Sequence, residues 1–381
     1  MTRPAPVHPA PIRVLFLTGF PAIGGPLPKL APLMADGLRR SGCELAVEGW
    51  SAHTAGPESL ASKLVGRTGD LLRVRRRIRA WRPDVVFVAT SHNWPGMLRD
   101  VPLALALGRE ATPLVLHLHG SECGKFGRRG QETFTAVSRW LVRHAAAVLL
   151  LSTEERTVWQ RFCPGARFEV VQNPYVASQG GDAGAAKGAE RSGEPGAPTL
   201  LFIGRLVEDK GIFELLEAVR IVRRTLPVRL VVAGMGPAEG EVRRRLGLLG
   251  LTDCVELRGY VTGAALDSAY KQADAFVLPS YREGFPLVVM EAMDYGLPVV
   301  TTPIRGCADH LAPDVNALFA PPRDAKALAA ALLRLLQDQD LRERMGAANV
   351  VKVREFAPER VIPQYAEILR GVVAGARAAH G

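Results

Sequence analysis

Two carboxylates, two cations and several glycines carry most of the chemistry legible in this chain. Residues 278–303 read LPSYREGFPLVVMEAMDYGLPVVTTP. An apolar run ends at Pro279, and Pro286 stands where a first helical residue would be, as its fixed φ favours. Glu283 and Gly284 then lie in a loop at a strand's carboxyl end, immediately before a helix N-terminus. The free N–H groups and positive dipole end of such a terminus suit an anion. Glu291 follows Glu283 by eight residues, about two turns if both were helical, so both carboxylates would line one edge of a site. Facing a phosphate they would repel it. They make better acceptors for hydroxyl groups, on a ribose and on a sugar. Each Glu alone also fits a plainer role, one as a cap and one on a solvated helix face.

Residues 200–213 read LLFIGRLVEDKGIF. Gly204-Arg205 follows a strand, and Lys210-Gly211 opens the next amphipathic stretch. Guanidinium, by its fork geometry, and ammonium, as a point charge, suit the two phosphates of a diphosphate. An isolated Arg-x4-Lys is ordinary loop charge. Here both motifs occupy the same edge of one strand–helix domain. Gly234-Met235-Gly236 follows another strand and allows close backbone approach by a ligand. Gly24-Gly25 fits a phosphate approach or a simple turn. Neither is a GxGxxG fingerprint. His117 and His119 end a further strand and are expected on opposite faces. His119 would be nearer a cleft, placed to donate a hydrogen bond to a reacting sugar, with His117 in the core. Asn173-Pro174 reads as a turn. No GxSxG elbow, HExxH or Walker A loop occurs.

These loops need elements to hold them. Short apolar runs recur at 12–18, 44–49, 84–90, 113–119, 147–152 and 168–172. They recur again at 199–203, 229–233, 254–258, 274–279, 298–302 and 316–320. The runs are nearly continuous in apolar residues, the pattern of parallel strands covered on both faces. Stretches of helix length separate them, which implies α/β architecture with two doubly wound sheets. Residues 177–198 contain no Leu, Ile, Phe or Val and read as a flexible linker. The expected division is a domain over 1–176, the linker, and a second domain over 199–357. A terminal helix over 358–381 would cross back to the first domain. Two such sheets would face a cleft at their strands' carboxyl ends.

The length of 381 residues agrees with two domains at roughly 100–200 residues each. No apolar run approaches the ~18–20 residues of a membrane span. The start, Met1 to Pro11, lacks the apolar core of a signal peptide, so a cytoplasmic chain is expected, soluble or peripheral. Five scattered cysteines without Cys-x-x-Cys spacing argue against disulfides and zinc. The net charge of +10 is uneven: residues 1–176 hold 23 Lys+Arg against 13 Asp+Glu, and the remainder holds 25 of each. Such asymmetry points to an anionic partner on one side of the molecule, or to solubility charge. Aromatic residues are 6% of the chain and are not interleaved with the basic clusters, which disfavours nucleic acid. The missing dinucleotide fingerprint disfavours an oxidoreductase.

Taken together, Glu283-Gly284-Phe285-Pro286 with Glu291, Gly204-Arg205-Leu206 with Lys210-Gly211, and the Gly-x-Gly-Pro turn at Gly234 resemble a known pattern. It is that of the retaining glycosyltransferases of the GT-B fold, in their large family four, over nearly the whole chain. The resemblance implies a nucleoside-diphosphate sugar, UDP- or GDP-linked, as donor in the second domain. Arg205 and Lys210 would hold the diphosphate, with Gly204 and Gly234 allowing its approach. Glu291 would take the ribose. Glu283, with the N–H groups of Phe285 and Leu287, would take the sugar, and Tyr260 and Val261 would lie near the base. Gly24, Gly25 and His119 would approach from the first domain. No metal or other cofactor is implied. The attack would be front-face, with a Glu283 nucleophile as the alternative.

The family's Gly-Gly-x-x-Glu is replaced by Gly306-Cys307-Ala308-Asp309, its Asn-Gly by Asn173-Pro174, and the polar residue of its glycine turn by Met235. These departures leave base and sugar open. The acceptor would be a growing polysaccharide, a lipid-linked glycan or a small natural product. HLHGSE at 117–122 looks like members that build polysaccharides. A nucleotide-sugar epimerase on the same fold is the alternative, and it lacks the expected His/carboxylate set. The arginines of 73–82 suit an anionic membrane surface, the inner face of the plasma membrane. The loop holding Lys125, Arg128 and Arg129 would border the acceptor.

Overall fold

A computed structural model describes residues 11–19, 26–50, 60–108, 110–177 and 197–380, with side chains throughout except at 26–29, 60–65 and 380. Twelve strands form among them. They are β1 (Ile12–Thr18), β2 (Cys43–Gly49), β3 (Val85–His92), β4 (Leu114–Ser121), β5 (Ala147–Leu150) and β6 (Phe168–Val170). Then follow β7 (Thr199–Ile203), β8 (Arg229–Ala233), β9 (Val255–Gly259), β10 (Ala275–Leu278), β11 (Val299–Thr301) and β12 (Ala317–Phe319). Each coincides with an apolar run of the sequence to within two or three residues at either end. All pairings are parallel, as runs buried on both faces require.

The chain divides into two compact units. One comprises Met1–Pro174 with Pro358–Gly381, the other Tyr175–Ala357. The boundary falls ahead of the expected one because Tyr175 is bonded into the second unit. Its N–H donates to the Phe356 carbonyl at 2.8 Å, and its phenol donates to Asp294 at 3.1 Å. Most of the expected linker, 178–196, lies outside the described residues.

In the first unit the sheet order is β2-β1-β3-β4-β5-β6. One face, with Val14, Phe16, Phe87, Val115 and Leu149, packs on Met34 and Leu38 of the helix Pro26–Arg40 and on Tyr365 and Leu369 of the C-terminal helix Pro358–His380. That terminal helix thus completes the first unit, as expected. The opposite face, with Leu15, Leu17, Val86 and Val88, meets Val74, Leu103, Leu141 and Trp159. The helix Thr153–Phe162 starts on a capping pair: Ser152 Oγ accepts from Glu155 N at 3.1 Å.

The second unit has the order β12-β11-β10-β7-β8-β9. Its single core wraps both faces. Asp324 caps the helix Ala325–Gln337 by accepting from Lys326 N and Ala327 N at 3.0 and 2.9 Å. In this order β7 and β10 are neighbours although three strands apart in sequence. Their following helices leave toward opposite faces, so the carboxyl ends of β7 and β10 open a crevice. The first sheet has its switch between β1 and β3.

Splitting the charge by unit sharpens the asymmetry. The first unit carries 26 Lys+Arg against 15 Asp+Glu, the second 22 against 23.

Candidate functional site

The loops at the carboxyl edge of the second sheet are laced together by backbone hydrogen bonds. Gly234 N–H donates to the Gly259 carbonyl at 2.7 Å, joining the loop after β8 to the end of β9. Leu206 N–H donates to Met235 O at 3.0 Å, and Ala238 N–H to Leu206 O at 3.0 Å, joining β7's loop to β8's. Tyr281 N–H donates to Asp209 O, joining β10's loop to β7's, and Gly306 N–H donates to Gly284 O, joining β11's loop to β10's, each at 2.8 Å. Four loops and the end of β9 are therefore tied along one edge by backbone bonds. The glycines are what permits it. A Cβ on Gly211, which sits at φ 69°, would stand 2.1 Å from the Pro279 carbonyl oxygen.

The charged residues meet at the switch point. Lys210 ends a short 3-10 turn, Glu208–Lys210, after β7. Its ammonium pairs with the Glu283 carboxylate from the loop after β10. Ser280 Oγ also donates to Glu283, at 3.3 Å. Burial pushes the Lys210 amine down to about 8; Asp209 pulls it up and Arg205 pushes it further down. Arg205 stands at the start of the same loop after β7. Arg205 itself is exposed. A diphosphate that takes Lys210 must therefore compete with Glu283, a coupling the sequence reading, which gave the two separate ligands, did not contain.

The helix after this loop runs Leu287–Asp294, with Pro286 as its cap in an extended conformation, ψ 134°. Pro286 therefore precedes the helix instead of starting it, and Leu287 and Val288 carry the unpaired first-turn N–H groups. The Glu-x7-Glu spacing does not lie on one helix. Glu283 is in the loop, and Glu291 sits in the helix with a different partner: Tyr270 donates to its carboxylate at 2.7 Å. Burial, reinforced by Glu291, holds the Tyr270 phenol well above its ordinary pKa. Phe285 is 2% exposed and packs on His310 and Phe356 at 5.2 and 5.0 Å, so its ring anchors the loop and leaves only its backbone for a ligand. Tyr260, 69% exposed, and the half-buried Val261 follow β9 on the same edge.

In the first unit, Gly24 and Gly25 lie outside the described residues. His117 and His119 share a face, contrary to the expectation of opposite ones, because two residues are one full period of a pleated strand. Their ring centroids are 3.9 Å apart. His117 is buried against Phe87 and Tyr365, as a core residue. Burial pushes both imidazoles down, His119 to about 3. Lys125 is committed to Glu122 at 2.7 Å, while Arg128 and Arg129 are exposed. In the basic helix Leu60–Trp81, Arg73 pairs with Asp70 and Glu48, Arg77 with Glu48, and Arg79 with Glu110. Much of that cluster's charge is thus offset by its own neighbours.

Sequence reasoning missed Tyr270, which reads as an ordinary core aromatic. Among the described residues no cluster of His, Cys, Asp or Glu is arranged to hold a metal ion. None of the described helices is long and apolar enough to cross a membrane.

Two family models match the chain: Glycosyltransferase Family 4 over residues 34–178 and Glycosyl transferases group 1 over residues 188–350. The chain is 31% identical over 293 residues to glycogen synthase of Mycobacterium tuberculosis, covering 74% of this chain and 67% of that protein. It is 30% identical over 292 residues to alpha-D-kanosaminyltransferase of Streptomyces kanamyceticus, covering 73% and 75%. Among solved structures, sucrose-phosphate synthase of Thermosynechococcus elongatus superposes with a TM-score of 0.78 at 20% identity, over 96% of this chain and 100% of that one. Anabaena Alr3699/HepE in complex with UDP-glucose gives 0.70 at 18%, over 94% and 100%.

Proposed function

The chain belongs to the group 1, family 4 glycosyltransferases, and we propose that it moves a glycosyl group from a nucleoside-diphosphate sugar to a hydroxyl acceptor with retention. The observation that carries this reading is the ion pair of Lys210 and Glu283 at the switch point of the second sheet, in loops that also carry Arg205 and lead into a helix N-terminus.

As the bond from the anomeric carbon to the leaving oxygen breaks, the sugar becomes cationic and the diphosphate gains negative charge. Arg205, Lys210 and the amides at Leu287 and Val288 are preorganised for that charge. The Lys210 ammonium leaves Glu283 for the phosphate, which frees the Glu283 carboxylate to accept from sugar hydroxyls. Glu291, held by Tyr270, accepts from the ribose. In a front-face transfer the acceptor hydroxyl attacks from the side the diphosphate leaves. Its proton passes to the leaving phosphate oxygen, so no protein base is needed. The similarity to a structure solved with UDP-glucose favours a uridine donor. The acceptor is a saccharide of a growing polysaccharide or glycolipid, and a small natural-product acceptor is the second reading.

Thermal unfolding with UDP, GDP and ADP tests the donor. One of them at a hundred times its Kd should stabilise the protein by about 2.7 kcal/mol, and hydrolysis of the matching nucleotide sugar should follow. No shift with any of the three would remove the donor assignment.

We further propose that the surplus positive charge of the first unit holds the protein against anionic lipid. Arg76, Arg128 and Arg129 are exposed candidates, each contributing ~1 kcal/mol near such a surface. Flotation with vesicles of phosphatidylcholine and phosphatidylglycerol should recover the protein at low salt and lose it at high salt. Absence from the floated fraction at low salt would leave the charge as solubility charge.

A further inference from the structure

The helix Trp94–Gly108, which follows β3, is apolar on the side that faces water as well as on the side that faces the sheet. Met97, Leu103, Ala104 and Leu107 belong to the core beneath it. Its two charged residues also turn inward. Asp100 is buried and accepts from Trp50 Nε1 at 2.8 Å and from Thr90 Oγ1 at 2.5 Å. Arg99 donates to Asp100, to the Trp50 carbonyl and to Thr90 Oγ1, at 3.0, 2.7 and 2.6 Å. What remains outside is Leu98 and Leu105, 57% and 55% exposed. They are seven residues apart, two turns along one face. Trp94 and Val101, both half-buried, border them. A surface helix ordinarily turns polar residues to water, and one apolar all round belongs in a core or in lipid.

Basic helices flank this stripe. Leu60–Trp81 stands on one side of it and Glu132–Arg143 on the other. On the outer side of the first, Leu72, Arg76 and Arg79 are exposed along one row; on the second, Arg139 and Arg143 are exposed four residues apart. The three helices hold ten Lys+Arg against three Asp+Glu. Of those carboxylates, Asp70 and Asp100 are buried, and Glu132 accepts from Gly130 N–H at 2.9 Å. Each helix also carries one half-buried tryptophan: Trp81, Trp94 and Trp140.

We propose that this face of the first unit lies on an anionic bilayer, with Leu98 and Leu105 in its acyl layer and the flanking arginines among its headgroups. The inference rests on the lipid contact already proposed and goes beyond a contact of charge alone, by naming the face that enters the bilayer and the side chains that insert.

The chemistry of the face selects the occupant. A second copy seated on the same stripe by two-fold symmetry would bring two arginine-rich, carboxylate-poor borders together, a like-charge contact. The stretches 51–59 and 178–196, outside the described residues, hold no Leu, Ile, Val, Phe, Met or Trp, so neither supplies an apolar cover. An anionic bilayer offers an apolar layer for the leucines and phosphates for the guanidinium groups, whose stems reach from one to the other. Tryptophan suits the boundary between the two layers. The stripe begins at the carboxyl end of β3, the edge at which sheets of this kind bind ligands. A glycolipid acceptor lying in that bilayer would therefore be presented to the ligand-binding edge.

The test uses the full chain and vesicles of phosphatidylcholine with phosphatidylglycerol, read as a partition coefficient across a salt series. Leu98→Gln with Leu105→Gln keeps good helix formers at exposed positions, so the fold and melting temperature should hold. This pair should lower partitioning about tenfold and leave the salt dependence as in wild type, because apolar burial is not screened. Arg76→Gln with Arg139→Gln should instead flatten the salt dependence. If the leucine pair partitions like wild type while the arginine pair loses its salt dependence, the charge contact stands and insertion is overturned. A wild type that stays out of the floated fraction at low salt sinks both. Light scattering without lipid reads the other occupant: a wild-type dimer that the leucine pair dissociates overturns the proposal and gives the face to a second copy.

Discussion

Lys210→Ala should lower transfer by about 10²–10³-fold, the usual cost of removing one preorganised group that stabilises developing negative charge. The loss should fall on kcat more than on donor KM, because Lys210 spends part of its attraction on Glu283 before the diphosphate gains charge. Glu283→Gln separates the two roles. Without the competing carboxylate, Lys210 is freer for phosphate, so UDP should bind more tightly while transfer still falls. The pH dependence has a definite sign. The cation is the form that holds phosphate, and burial sets the Lys210 amine at about 8. Donor affinity should therefore be full below about pH 8 and fall as pH rises through it, and Lys210→Ala should remove that fall. Turnover near wild type in Lys210→Ala, measured with the donor that hydrolysis identifies, would take the lysine out of the chemistry.

How much of this was legible beforehand depended on the kind of information each residue carries. Strand runs such as Val85–Ala89 are buried on both faces, so their composition alone marks a parallel sheet, and all twelve were readable. The helices after Gln337 were readable too, and with them the absence of a further strand that returns the terminal helix to the first unit. The positions of the candidate residues were legible too, because Arg205, Lys210 and Glu283 sit in loops next to clear strand ends and Glu291 in the helix that follows. Their pairing was not. Lys210 and Glu283 are 73 positions apart, and they meet only because β10 inserts beside β7, an order set by tertiary packing. The faces of His117 and His119 were misjudged although strand periodicity determines them. Asn173 was read as a turn at the family's Asn-Gly position and Thr18 carried no local pattern; their burial without a partner shows only in the folded chain.

Gly234→Ala should be the most damaging single methyl in the second unit. Gly234 has φ 148°, and a Cβ there would lie 1.8 Å from the carbonyl oxygen of Gly204. No rotamer relieves that contact, because both partners are backbone. Either the loop after β8 moves, breaking its bond from Gly234 N–H to Gly259 O, or the loop after β7 moves and carries Arg205 with it. The expected cost is at least about 3 kcal/mol, from a strained conformation and overpacking together. For a unit of this size that lowers the melting temperature by roughly 6–12 °C. Nucleotide-induced stabilisation should also collapse, since the displaced segment is the one that presents Gly204 and Arg205. Gly247→Ala is the matched control. Gly247 lies within the helix Glu239–Leu249 with nothing within 4 Å of its Cβ position. There alanine should raise stability by about 0.5–1 kcal/mol and leave nucleotide binding unchanged. Thermal unfolding with and without nucleotide reads both variants. If the two glycines responded alike, the close backbone approach between the loops after β7 and β8 could not be what positions Arg205.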